Sequence, residues 1–220
     1  MSAHGSTFPQ FRQRATIAIE DVRLQGALDR ALSHFRDARG SALAAVPAVE
    51  EMRDHLKQIR GQTIANLAHH LETFERNAEA NGAHVHWART AVEASQIIVD
   101  IARAHDVKLV AKSKSMMTDE IGLNQALTAA GIEPVETDLG EWIIQLSQED
   151  PYHIIAPAVH KTKGQVIELF EHESGETLAE ADIPALTAVA RRMLRTKFLA
   201  ADMGVSGGNL AVAETGSVVL

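Results

Sequence analysis

Two short polar strings stand where an α/β protein would place its chemistry. Lys112-Ser113-Lys114-Ser115 follows directly on the apolar run Val107 to Ala111, and Glu136-Thr137-Asp138, with Glu141 close behind, ends a second strand-like run that begins at Glu133. In open α/β sheets, ligands sit outside the carboxyl ends of the strands. Ammonium groups, hydroxyls and a following helix N-terminus together suit an anion; the competing reading is a solvated loop with two surface lysines. The carboxylates could supply a general base or hold a metal. They could equally cap the next helix, with Asp138 accepting backbone N–H groups and Glu141 at the capping-box position.

Other residues invite the same double reading. His153 and His160-Lys161 flank Pro157, and histidine is the usual proton-transfer group near neutral pH, but a lone histidine is more often structural. His84 and His86 alternate along an extended run and so share a face. Together with His69 and His70 they meet no zinc spacing rule, and no metal is expected. Gly204-Val205-Ser206-Gly207-Gly208-Asn209 is glycine-rich yet matches neither dinucleotide nor phosphate-loop spacing. Such glycines let backbone approach a ligand closely, or simply turn the chain. Glu214-Thr215-Gly216, between two apolar runs, is either a hairpin turn or a carboxylate aimed into a pocket. Arg191, Arg192, Arg195 and Lys197 lie on one helix and read as a solvated face near its negative end.

The elements that must position these residues follow from periodicity. Leu24, Leu28, Leu32 and Phe35 recur at helical spacing, a break is expected at Arg39-Gly40-Ser41, and Pro47 suits the first turn of a second helix. That helix carries Val49, Met52, Leu56 and Ile59, then Ile64, Leu67, Leu71 and Phe74, with a kink expected near Gly61. Two long antiparallel helices, a hairpin over residues 1–82, are the simplest reading. From residue 83 the character changes to strand alternating with helix. Strands are expected over 83–89, 107–111, 133–137 and 152–156, and strand-like runs over 210–213 and 217–220. Trp142 to Leu146 is a short helix or strand. Thr90 with Glu93 forms a capping box for a helix presenting Val92, Ile97, Ile98 and Ile101. Thr118 is expected to cap the next helix, and Pro184 opens another with Leu186, Val189, Met193 and Leu194 inward. This alternation argues for a parallel sheet with helices on its faces.

Composition narrows the partners. The 220 residues are 45% hydrophobic and 23% charged, enough for a sizeable core. A formal net charge of −8 repels phosphate backbones, so nucleic acid is not expected as a partner. No apolar run is long enough to span a bilayer, residues 1–14 lack the apolar region of a secretory signal, and a cytoplasmic protein is expected. Cysteine is absent, which excludes disulfides, thiolate zinc sites, a cysteine-held iron–sulfur cluster and a cysteine nucleophile within these residues. The terminal run Ser217 to Leu220 carries no stop signal and reads as a strand, so the domain over 83–220 is expected to be incomplete at its C-terminus.

Several strings in combination carry a resemblance. Val85-His86-Trp87-Ala88, Lys112-Ser113-Lys114-Ser115-Met116, Glu120-Ile121-Gly122-Leu123-Asn124 and Glu136-Thr137-Asp138-Leu139-Gly140-Glu141 are joined by His153-Ile154 with Pro157 and His160-Lys161. Arg195, Ala201-Asp202 and the stretch from Gly204 to Leu220 complete the set. The chain from Gly82 onward resembles the LUD domain of the lactate-utilisation iron–sulfur protein family (LutB type). The resemblance implies a Rossmann-like, mainly parallel α/β fold similar to the sugar-phosphate isomerase and CoA-transferase superfamily. It also implies work with other subunits in oxidising L-lactate to pyruvate, as part of an oxidoreductase and electron-transport system. The family's iron–sulfur clusters lie on cysteine motifs downstream of the LUD domain, so no cofactor is expected within this chain.

The expected pocket places Lys112, Ser113 and Ser115 on an anionic ligand, with Glu136, His160, Asn209 and Thr215 also binding. Asp138, His160 and Glu214 are its candidate catalytic groups. Two alternatives stay open: a stand-alone isomerase- or CoA-transferase-like enzyme using Glu214 as base or nucleophile, and a structural scaffold whose long helices form an oligomer interface.

Overall fold

The computed structural model describes residues 8–220; the first half of the N-terminal stretch read above as lacking a signal lies outside them. The helical start is α1 (Phe8–Glu20), α2 (Val22–Ala44), α3 (Val49–Ala65) and α4 (Leu67–Ala80). Then come α5 (Ala91–Ala104), β1 (Leu109–Lys112), α6 (Met116–Glu120), α7 (Leu123–Ala129), β2 (Glu133–Glu136) and α8 (Leu139–Ser147). The chain ends with α9 (Lys163–Ser174), α10 (Ile183–Ala200), β3 (Met203–Val205), β4 (Leu210–Val212) and β5 (Ser217–Val219). The fold is mixed α/β, with helices before a small parallel sheet, as the alternation implies.

The chain forms two compact units, 8–47 with 143–186 and 48–142 with 187–220. In the first, Asp21 separates α1 from α2. Its carboxylate accepts the Arg23 and Leu24 backbone N–H groups at 2.9 and 3.0 Å, an N-cap that starts a new helix where one long one was expected. The break expected at Gly40 is absent, because α2 runs on to Ala44. No strand forms over 152–156; Tyr152 to Pro157 is an irregular loop in which the His153 Nδ1 accepts the Ile155 and Ala156 N–H groups. The helix α9 had no strong periodic signal, yet Thr162 and Gln165 close a full capping box at its start.

The second unit holds the sheet. Its order is β2-β1-β3, all parallel, with Lys112 opposite Glu136 on one side and Val205 on the other. Parallel neighbours need a crossover, and α6 and α7 supply it between β1 and β2. The core beside β1 is built from Val99, Ala102, Val107, Val110, Leu123, Leu127 and Ile132. The helix α5 buries Ser95, Val99 and Ala102; of the residues expected inward, Ile97, Ile98 and Ile101 are half-buried, Ile98 packing on that core, and only Val92 is exposed. Glu93 departs from the capping box in one respect: its carboxylate takes the Arg89 N–H while the Thr90 hydroxyl takes the Glu93 N–H.

Residues 83–88 are irregular, not a strand. Ser115, not Thr118, caps α6. The break between α3 and α4 falls at Asn66 instead of Gly61, and Pro47 lies in the turn before α3. The strand β3 was not anticipated, since three residues are too few to show alternation. Asp202 explains its placement: its carboxylate accepts the Lys108 and Leu109 N–H groups at 2.8 and 3.0 Å, and its own N–H donates to the Leu109 carbonyl. Those two donors hold the Asp202 carboxyl below the usual carboxylate range. The strand-like runs near the C-terminus form the antiparallel pair β4–β5, the hairpin reading of the two left open above.

Candidate functional site at the carboxyl edge of the sheet

The carboxyl ends of β1, β2 and β3 converge because the register sets Lys112 level with Glu136 and Val205. Backbone bonds then hold the exit loops together. The Ser113 N–H donates to the Val205 carbonyl at 2.8 Å, and the Thr137 N–H and hydroxyl both donate to the Lys112 carbonyl. This edge gathers Lys112, Ser113, Ser115, Glu136 and Asp138 from the expected pocket.

Lys112 is fully buried, and its Nζ lies 2.5 Å from Glu136 Oε1 and 3.7 Å from Asp119 Oδ1. Asn124 donates to the same Glu136 oxygen at 2.7 Å. Burial raises the Asp119 carboxyl above its usual range, and the Lys112 ammonium only partly opposes that shift. A buried pair of this kind adds little net stability, but removing one partner strands the other at a cost of about 3–5 kcal/mol. The lysine therefore ties β1, β2 and the crossover together, and its ammonium is engaged inside the protein.

The groups left at the edge are different ones. The Ser113 and Ser206 hydroxyls meet at 2.7 Å, joining the exits of β1 and β3. The Ser115 hydroxyl is buried as the α6 cap. Gly207 packs directly against it: a Cβ there would sit 2.9 Å from the Ser115 Oγ. This is the close backbone approach that the glycine-rich stretch was read as permitting.

The carboxylates after β2 both cap and titrate. Asp138 accepts the Gly140 N–H at 2.9 Å, as the capping reading expects. Glu141 is ion-paired with Lys114. Burial pushes the Glu141 carboxyl up to about 7, its hydrogen bond with Asp138 adds to the rise, and Lys114 opposes it without prevailing. Asp138 moves the other way, lowered chiefly by that same hydrogen bond. The opposite shifts belong to Asp138 and Glu141 as a hydrogen-bonded pair, in which Glu141 is the more readily protonated partner. The Glu141 Oε2 is buried and no N–H or hydroxyl reaches it. A carboxyl that gains and loses a proton near neutral pH is suited to general acid–base work.

The remaining expected residues lie elsewhere. Glu214 and Thr215 occupy the exposed turn between β4 and β5. Asn77 donates to the Ala213 and Glu214 carbonyls and Asn81 to the Thr215 carbonyl, so α4 grips this turn by its backbone. Of the two readings of Glu214, the structure shows the hairpin turn. Asn209 donates its N–H to the Val219 carbonyl at 2.8 Å, at the foot of the same hairpin. His160 belongs to the other unit. Its Nε2 lies 2.9 Å from Glu149, its ring stacks near Tyr152, and Lys161 also pairs with Glu149. The Lys161 hydrogen bond is the main reason the Glu149 carboxyl is lowered.

Sequence reasoning left Ser206, Asn124, Lys114 and Glu141 outside its site. Glu141 and Lys114 were visible as a carboxylate and a cation at neighbouring strand ends. Ser206 stood inside the glycine-rich stretch but was not singled out, because the strand just before it, β3, was not legible. Among the described residues no group of three or more histidines and carboxylates could hold a metal ion, and no helix is long and apolar enough to cross a membrane.

Comparison with known proteins gives a consistent picture. A family model described as the LUD domain matches residues 71–220. A protein named Lactate utilization protein B from Macrococcus caseolyticus is 41% identical over 211 residues, covering 96% of this chain and 44% of that protein. Proteins of the same name from Bacillus pumilus and Shouchella clausii are 42% and 40% identical over the same shares of each chain. The chain thus spans less than half the length of the curated relatives it matches. No solved structure matches it. With the family model covering well over half of its residues, this chain belongs to the LUD domain family.

Proposed function

We propose that this chain is the α/β part of a component of an L-lactate-oxidising system, working in the cytoplasm with other subunits. Electron-transfer clusters would lie on sequence outside these residues, which contain no cysteine. The observation that carries the reading is the identity of about 40% over nearly the whole chain to proteins named for lactate utilisation. The carboxyl edge of the sheet supports a role in binding a small carboxylate: hydroxyls from Ser113 and Ser206 can donate to it, and Glu141 can exchange a proton beside Lys114. The test is genetic. Deleting the gene for this chain is expected to abolish growth on L-lactate as sole carbon source while growth on pyruvate continues, with the gene restoring it in trans. Unchanged L-lactate consumption in the deletion strain removes the reading.

A further inference from the structure

A cavity lies along α10 and reaches Thr137 at the exit of β2, away from the Ser113 and Ser206 hydroxyls. It is an open groove offering about 290 Å³, a size just below the usual range of small-molecule sites. Its wall is apolar, formed by Leu139, Ala190, Leu194 and Phe198. Phe198 is 53% exposed and Leu139 40% exposed, so the wall includes large apolar surface open to water. Arg191 and Arg195 also line it, and residues four apart on a helix stand one above the other on the same face.

Lys197 on the same helix pairs with Glu133 at 2.7 Å, and the lysines of the strand edge each have a carboxylate. Arg191 and Arg195 have no such partner among the described residues, although carboxylates outnumber cations, with 29 Asp and Glu against 21 Lys and Arg. Two unpaired cations beside an apolar wall define what would complete them. The ligand must carry an anion and an apolar body. The planar guanidinium fork matches a carboxylate bidentately, and the largely apolar wall favours an aliphatic chain over a phosphate. Lactate, small and hydroxylated, supplies the charge without the apolar body. We propose that this cavity binds an aliphatic monocarboxylate, its carboxylate held by Arg191 and Arg195 and its chain laid against Leu194 and Phe198.

The probe is octanoate, titrated into the full chain by isothermal calorimetry. Saturable binding at one site is expected, with neither octan-1-ol nor octylamine binding comparably. The double variant R191A/R195A, altered at two exposed positions, is expected to lose roughly tenfold or more in affinity, in line with removing charge-assisted hydrogen bonds. Phe198→Ser is expected to weaken octanoate as well. It decides the matter if circular dichroism shows that the arginine variant is misfolded. The double variant S113A/S206A at the strand edge is expected to bind octanoate as tightly as the parent. Absence of saturable binding overturns the proposal, as does unchanged affinity in a folded R191A/R195A, or octan-1-ol binding as tightly as octanoate. Loss of binding in S113A/S206A would place the ligand at the strand edge and overturn it too.

Discussion

Glu141 concentrates the chemistry of the strand edge in one side chain. Its carboxyl is raised to about 7 by burial and by the hydrogen bond with Asp138. The consequence for stability has a definite sign. A carboxyl whose folded pKa lies above its unfolded value favours folding while protonated, so its contribution is complete below about 4.5 and is lost as pH rises toward 7. Replacing Glu141 by Gln keeps a neutral donor for Asp138 and removes the titration. The variant is expected to show a smaller loss of stability between those pH values than the parent, and to exceed it above pH 7, by chemical denaturation across a pH series. A parent whose stability does not fall relative to the variant over that range would show that Glu141 is an ordinary carboxylate. The neighbourhood was partly legible in sequence: Glu141 was visible as a cap candidate three residues after Asp138. Its burial and the Lys114 contact were not, because both depend on how the exits of β1 and β2 are placed.

At the scale of elements, the β4–β5 hairpin shows why a short string can be read correctly for the wrong chemistry. The runs Leu210–Val212 and Ser217–Val219 pair as a hairpin, and the turn carrying Glu214 is held through its backbone carbonyls by the Asn77 and Asn81 side chains of α4. Gly216 makes that docking feasible. It adopts φ +66°, and a Cβ on it would fall 2.3 Å from the Ala78 nitrogen. Gly216→Ala is therefore expected to cost about 2 kcal/mol or more, combining left-handed strain with a clash against helix backbone. Gly164→Ala is the control: it lies inside α9, where a Cβ meets nothing within 4 Å, and it should be neutral or slightly stabilising. Equal effects of the two substitutions in thermal unfolding would refute the docking argument. The same scale explains the missed elements. The strand β3 is set by Asp202 gripping the start of β1, a contact between residues 94 apart that no local pattern encodes.

For the whole molecule, burial is uneven along the chain, and local stability should follow it. The strand β1 has three buried residues of four and stands between two partners. The helix α3 buries none of its residues, and Met52, Leu56 and Ile59 are exposed. Helices gain most of their stability from a packed face, so amides of β1 are expected to exchange with solvent roughly a thousandfold or more slowly than those in the middle of α3. Comparable exchange rates measured by mass spectrometry or NMR would show that α3 is held by contacts outside those described.

By itself the sequence determined that the chain is α/β, that its polar strings follow apolar strands, and that it resembles the LUD domain family. Those features are local: hydrophobic periodicity, capping residues, and motif strings that survive without knowledge of the fold. Tertiary structure decided which of the named residues meet. It buried the Lys112 ammonium against Glu136 and gave Ser113 a hydroxyl partner 93 residues away. It also sent Glu214 to a turn and His160 to a separate unit. The physical reason is that a parallel sheet aligns the ends of strands distant in sequence, so the chemistry of its edge is set by register and crossover, which no single stretch of chain contains.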